Sequence, residues 1–171
     1  MKESKTILYV MRTALIGAIL VGVDQIIKAW ATANLASVGT MPFIPGLVQL
    51  NYVLNDGAAF SMLAGKQEFL ILFTGVALGV LAVYLLVKRP NGLEYWAWLL
   101  ILAGGSGNLI DRVTNRVVVD YLDLLFMEFA VFNFADICVC VGMGLLILSI
   151  LLEEIAERKK KKAGEASNGE A

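Results

Sequence analysis

Histidine is absent from this 171-residue chain, cysteine occurs twice, and only 17% of the residues are charged. Each shortage excludes a class of chemistry. Without His, zinc hydrolysis and Ser–His or Cys–His nucleophilic catalysis lose their usual ligand or base. Cys138 and Cys140 lie two apart in an apolar run. On a helix they point in different directions, so neither a bridge nor a shared metal is expected. No metal site and no cofactor is expected. Basic residues form no face outside the extreme C-terminus, which sets nucleic acid aside as a partner. What dominates is apolar: 58% of the chain is hydrophobic, too much for an ordinary soluble domain.

A spanning helix needs about 20 mostly apolar residues. Four stretches meet or approach this, at 10–30, 69–87, 95–113 and 134–153. The first also has the outline of a cleaved leader, with Lys2, Lys5 and Arg12 ahead of an apolar core. Its length, and the Asp24 and Lys28 it carries, favour a retained span. Lys88 and Arg89 lie between the second and third stretches, and Arg158 to Lys162 follow the fourth. By the positive-inside rule both termini face the cytoplasm. Asp24, Asp56, Glu68, Asp111, Asp120, Asp123, Glu128 and Asp136 then all fall at the outer face.

The expected fold is a mostly α membrane domain, 1–157, with four spans and a small sheet outside the membrane over about 38–62. The sheet is read from strand-like runs around Pro45-Gly46. The tail, 158–171, is polar and expected to be disordered.

Ionisable groups in spanning segments cost about 2.5–3.5 kcal/mol each, so they need a partner, a wet cavity or a task. Asp24 and Lys28 are four apart and share a helix face, which suits an ion pair and substrate contact equally. Asn55-Asp56-Gly57 is turn chemistry. The Ala58-Ala59-Phe60 that follows suits an edge touching substrate or membrane. Gly104, Gly105 and Gly107 read first as helix-packing glycines. Asn108 sits one turn before Asp111 and Arg112 and can line a face with them. Asn133 is a fair helix N-cap, with Asp136 a turn further in.

Peptide hydrolysis without His or metal can be run by two carboxylates, one ionised to activate water and one protonated to polarise the scissile carbonyl. Asp24 has Lys28 available, and Asp111 has Arg112 beside it, so both are expected to be held ionised. Asp120 and Asp136 have apolar neighbours and no adjacent cation, so they are the acids freest to share a proton.

Five motifs occur in order along the chain: Asp24-Gln-x-x-Lys28, Asn55-x-Gly-Ala-Ala-Phe-Ser61, Gly104-Gly-x-Gly-Asn-x-Ile-Asp-Arg112, Val118-Val-Asp120 and Phe132-Asn-x-Ala-Asp136. Together they resemble the lipoprotein signal peptidases, the type II signal peptidases of bacteria. The resemblance implies four spans, with a small extracytoplasmic sheet and a short helix over the site. It implies cleavage of prolipoprotein signal peptides before a diacylglyceryl-modified cysteine. It also implies a bacterial cell-membrane location, sensitivity to the cyclic peptide globomycin, and Asp120 and Asp136 as the catalytic dyad. Asp24, Lys28, Asn55, Gly57, Gly105, Asn108, Asp111, Arg112 and Asn133 would support it or contact substrate. Lipid-modified precursors and membrane lipid are the expected partners of a monomer. Asp56 departs from the family's usual uncharged residue and adds a negative charge near the site. A proton-coupled transporter is the rival reading; the absence of repeats, and acids gathered at one face rather than at mid-bilayer, count against it.

Overall fold

The computed structural model describes residues 2–57 and 65–169. In chain order the elements are α1 (Lys2–Leu35), β1 (Thr40–Ile44), β2 (Val48–Asn55), α2 (Gln67–Lys88), α3 (Gly92–Asn115), β3 (Val118–Leu124) and α4 (Phe134–Gly169). The molecule is mostly helical, with one open antiparallel sheet in the order β1-β2-β3.

Among the described residues three helices are long and apolar enough to cross a membrane: Glu3–Leu35, Gln67–Lys88 and Phe134–Lys161. α3 is 24 residues long but is not one of them. Its run from Gly104 to Asn108, with Asp111 and Arg112, dilutes the apolar content. On α2, Leu72, Phe73, Val76, Val80, Val83 and Val87 are each more than half exposed. A continuous apolar surface of this kind belongs in lipid rather than water, and the protein is integral to a membrane.

Helix ends follow local chemistry. Arg89 closes α2 in the left-handed region (φ 50°), its N–H donating to Leu85 O; Pro90 then blocks continuation. Arg116 closes α3 in the same way at φ 63°. β1 and β2 form a hairpin turning on Pro45 and Gly46. Gly46 takes φ 73°, as the third position of a type II turn requires, and the Leu47 N–H donates to Ile44 O.

The sheet extends beyond the segment expected for it. β3 comes from the stretch between α3 and α4 and pairs with β2 from Val48↔Leu124 to Asn55↔Val118. The chain then doubles back. Phe132 N–H donates to Leu122 O (3.0 Å), and Leu122 N–H donates to Phe132 O (2.8 Å). This pairing lays the first turn of α4 against β3.

α3 and α4 pack closely because glycines line the seam. A Cβ on Gly104 would collide with the carbonyl oxygen of Ala135, and one on Gly142 would lie 2.7 Å from Ala97 O. Small residues let helix backbones approach where no apolar driving force between helices exists.

One expectation differs from the structure, and another is not met within the described residues. The tail from 158 continues α4 as helix to Gly169. Its Glu, Lys and Ala residues are good helix formers, and the Glu154–Arg158 pair braces the turn that leads into it at 2.5 Å. No fifth, short helix occurs among the described residues; Ala58–Ser61 lie outside them.

Gly104→Ala should lower the thermal midpoint of the detergent-solubilised protein, by an overpacking cost of roughly 1–3 kcal/mol. Gly144→Ala, whose Cβ would meet nothing within 4 Å, should leave the midpoint unchanged or raise it slightly. Equal midpoints for the two variants would contradict the packing role of Gly104.

Candidate active site

Five elements converge where the sheet meets the helix ends, and their polar side chains form one connected network. α1 contributes Asp24, Gln25 and Lys28, three residues that fall on neighbouring turns of one flank. Lys28 is 3% exposed, and its ammonium uses all three donors. It meets Asp24 Oδ2 at 2.9 Å, Asp111 Oδ2 at 2.9 Å and Asn108 Oδ1 at 2.8 Å. One buried cation thus serves two carboxylates and orients an amide on α3. Asp24 Oδ1 also accepts from the Ala135 N–H at 3.0 Å, tying α1 to the first turn of α4. Gln25 Nε2 donates to Asp111 Oδ1 at 3.0 Å. Gly107 leaves room for the Asp24 carboxylate, with which its own Cβ would collide.

Arg112 does not pair with Asp111, contrary to the expectation from their adjacency. Consecutive helix residues do not face each other. Arg112 turns away and donates from Nη2 to Gly57 O at 2.8 Å, with Asn108 O at 3.4 Å from Nη1. Its Nε is buried without a partner among the described residues. Its positive charge acts on Asp136 and Asp120.

Asp120 and Asp136 are reached from different directions and joined by Asn133. Asp120, on β3, is 2% exposed. Its Oδ1 accepts from Asn133 Nδ2 at 2.6 Å and its Oδ2 from Asn55 Nδ2 at 2.9 Å. Asp136, in the first turn of α4, is only partly buried. Its Oδ2 accepts from the Asn133 backbone N–H at 3.0 Å, while the Asp136 N–H donates to Asn133 Oδ1 at 3.0 Å. This reciprocal pair is a capping box, with Asn133 at the N-cap and Asp136 at N3. Asp136 Oδ1 accepts from Asn108 Nδ2 at 2.7 Å. The second hydrogen of Asn133 Nδ2 goes to Asn108 Oδ1 at 3.1 Å. Every polar atom of the Asn133 side chain is therefore used, and the residue is fully buried.

Among the described residues, neither Asp120 nor Asp136 is in an ion pair, whereas Asp24 and Asp111 both are. The Asp120 carboxyl is pushed up to about 6, chiefly by burial; the Asp136 charge adds to the rise, and hydrogen bonds from Asn55 and Asn133 oppose it. The arrangement can hold a proton near neutral pH on one acid beside a second acid open to solvent.

Asn55 joins the site through the strand register, and Gly57 through its two backbone contacts, its N–H donating to Asn55 Oδ1 at 2.9 Å. Asp24, Lys28, Asn55, Gly57, Asn108, Asp111, Arg112, Asp120, Asn133 and Asp136 all belong to the network. Gly105 does not: it faces α2, where a Cβ would lie 2.7 Å from Leu78 Cδ2. Gln25 and Gly107 were missed as site residues. A polar Gln one turn before Lys28 in an apolar span was the available signal for the first. The Asp56 side chain is exposed.

Residues 16–152 match the family model described as Signal peptidase (SPase) II. A lipoprotein signal peptidase of Streptococcus pyogenes serotype M2 is 43% identical over 139 residues, spanning 80% of this chain and 90% of the relative. Its counterpart in serotype M5 is 42% identical over the same extent. Two solved structures, each described as a bacterial membrane enzyme determined in meso, superpose well. One has TM-score 0.77 and 31% identity over 84% of this chain and 89% of its own. The other has TM-score 0.73 and 32% identity over 82% and 92%. The chain belongs to the signal peptidase II family.

Proposed function

We propose that this signal peptidase is an aspartic-type endopeptidase with Asp120 and Asp136 as its working pair, cutting prolipoproteins before the diacylglyceryl-modified cysteine. One observation carries this reading: a single buried residue, Asn133, binds both carboxylates, and no cation pairs with either among the described residues. The Asp136 charge raises the cost of ionising Asp120, so the pair is read as holding one proton. The ionised acid takes a proton from water as the water oxygen adds to the scissile carbonyl carbon. The protonated acid donates to the carbonyl oxygen. Collapse of the tetrahedral diol breaks the C–N bond, and the leaving amine takes its proton from the pair.

The surroundings support distinct tasks for the other residues. Asn55 and Asn133 aim donors at Asp120 and hold its orientation. Lys28, Asp24 and Asp111 neutralise one another as far as one cation can and brace Asn108. Arg112 Nε, without a partner among the described residues, favours a substrate carbonyl. A four-span topology is part of the reading, with α3 crossing as a helix shielded by its neighbours. The charge bias of the loops favours cytoplasmic termini and a site at the outer face. A lipidated precursor suits a site at that boundary.

Asp120→Asn and Asp136→Asn should each cut the rate of lipidated-precursor cleavage by roughly 10²–10⁴, with membrane insertion intact. Unchanged cleavage by either variant would refute the assignment. Cleavage by the unmodified enzyme should persist in metal chelator, and chelator-sensitive turnover would sink the metal-free mechanism.

The pH profile supplies a second test. Activity needs the proton shared by the pair, so kcat/KM should fall as pH rises through the value of the last proton, about 6 at Asp120 in the free enzyme. The Asn55 hydrogen bond favours the charged form of Asp120. Asn55→Ala should therefore move this alkaline limb to higher pH. A limb that stays put or moves down would contradict Asp120 as the proton carrier.

A further inference from the structure

Away from the polar network, α1 and α2 both lie against α3 and leave a groove between them. Small side chains on α1, namely Ala14, Gly17 and Ala18, open it; Leu85 and Leu86 of α2 form the far wall, and Leu99 of α3 the floor. The groove holds about 270 Å³ and is almost wholly apolar. A Cβ on Gly17 would lie 3.7 Å from Leu99 Cδ1, in ordinary van der Waals contact with the floor, so the absence of a side chain at Gly17 is what keeps the groove open there.

The ends of the groove define what fits it. On α1 its lining begins at Val10 and ends at Val21. Eleven residues of helix rise about 16 Å, which matches one leaflet of a hydrocarbon core about 30 Å thick. Thr6 lies one turn beyond Val10 on the same face of α1, and it is bridged to the α2 terminus by Arg89. Arg89 Nη1 donates to Thr6 Oγ1 at 2.5 Å, and Nε donates to Leu86 O at 3.1 Å. Leu86 is itself a wall residue, so the guanidinium sits at the groove mouth.

We infer that this groove is a phospholipid site: one acyl chain lies between α1 and α2, and the headgroup phosphate sits on Arg89. Both features are needed. A leaflet-long apolar slot alone would suit any hydrocarbon, and an arginine alone would suit any anion. Together they select a chain carrying a phosphate at one end, at the depth where the headgroups of a bilayer lie. With Nε on Leu86 O and one Nη1 hydrogen on Thr6, the other Nη1 hydrogen and Nη2 of Arg89 remain to donate to a phosphate. The occupant also has a structural consequence. The groove ends at Ser106 on α3 and at Val21 on α1, one turn before Gln25, so a bound chain fills the space flanking the half of α1 that leads to Asp24 and Lys28.

Native mass spectrometry of the delipidated full-length protein, titrated with phosphatidylglycerol, tests this without relying on peptidase activity. The unmodified protein should take up one tightly held phosphatidylglycerol. Diacylglycerol of the same chain length, and glycerol 3-phosphate without chains, should each bind at least about tenfold more weakly, since each lacks one half of the recognition. Arg89→Gln should weaken phosphatidylglycerol to the diacylglycerol level, and Arg158→Gln, an exposed arginine outside the groove, should change nothing. Ala14→Leu with Ala18→Leu should abolish binding by filling the slot. The thermal midpoint should rise with phosphatidylglycerol in the unmodified protein and not in Arg89→Gln, which keeps the test decisive if the filled variant folds poorly. Equal binding of diacylglycerol and phosphatidylglycerol, or full retention of phosphatidylglycerol by Arg89→Gln, would overturn the proposal.

Discussion

Lys28 has three hydrogens and three acceptors, and they come from three places: its own helix, a carboxylate on α3 and an amide on α3. A buried ammonium is costly unless fully bonded, and two buried carboxylates are costlier still. The mutual solution draws α1 onto α3 at one depth and one rotation. Asn108 is then held with its oxygen towards Lys28, so its amide hydrogens point away, to Asp136. From Asn108 the order passes to Asn133, and from Asn133 to Asp120. Removing the ammonium would leave Asp24 and Asp111 as uncompensated buried charges and free the amide that orients the rest.

The same cluster divides its acids into two kinds. Asp24 and Asp111 meet a cation; Asp120 and Asp136 meet amides. Amide donors orient a carboxylate without fixing its charge, and a cation next to it would favour the charged form strongly. That difference is what the proposed proton-sharing pair requires, and it arises from partner type rather than from burial alone. The glycines act in parallel: Gly104 brings α4 against α3, and Gly107 makes space for the Asp24 carboxylate, so the charged cluster fits inside a close helix seam.

Much of this was legible in the residues. Acids in apolar spans announce themselves, because lipid offers them no hydration, and the i,i+4 spacing of Asp24 and Lys28 anticipates their ion pair. The run Val117-Val118-Val119-Asp120-Tyr121-Leu122 carried a strand signal in its β-branched and aromatic residues, yet β3 was not read from it, since its partner strand lies far away in sequence. Arg112 was misread through adjacency, and Gly105 through its place in a motif; the helix rotation sends one towards Gly57 and the other towards α2. The tail was misread through polarity, since Lys- and Glu-rich sequence is compatible with helix as well as disorder.

The sequence by itself determined that the chain is built for lipid, which of its acids lie in apolar stretches, and that no histidine is there to serve as ligand or base. Those are matters of composition and spacing, and they do not depend on contacts. Only the tertiary structure decided which acid meets a cation and which meets an amide, because those partners are 80 or more residues apart for Lys28 and Asn108 and 65 for Asn55 and Asp120. It likewise decided that Asn133 stands between Asp120 and Asp136. That position depends on the return of Phe132 along Leu122, a backbone pairing that no local pattern specifies.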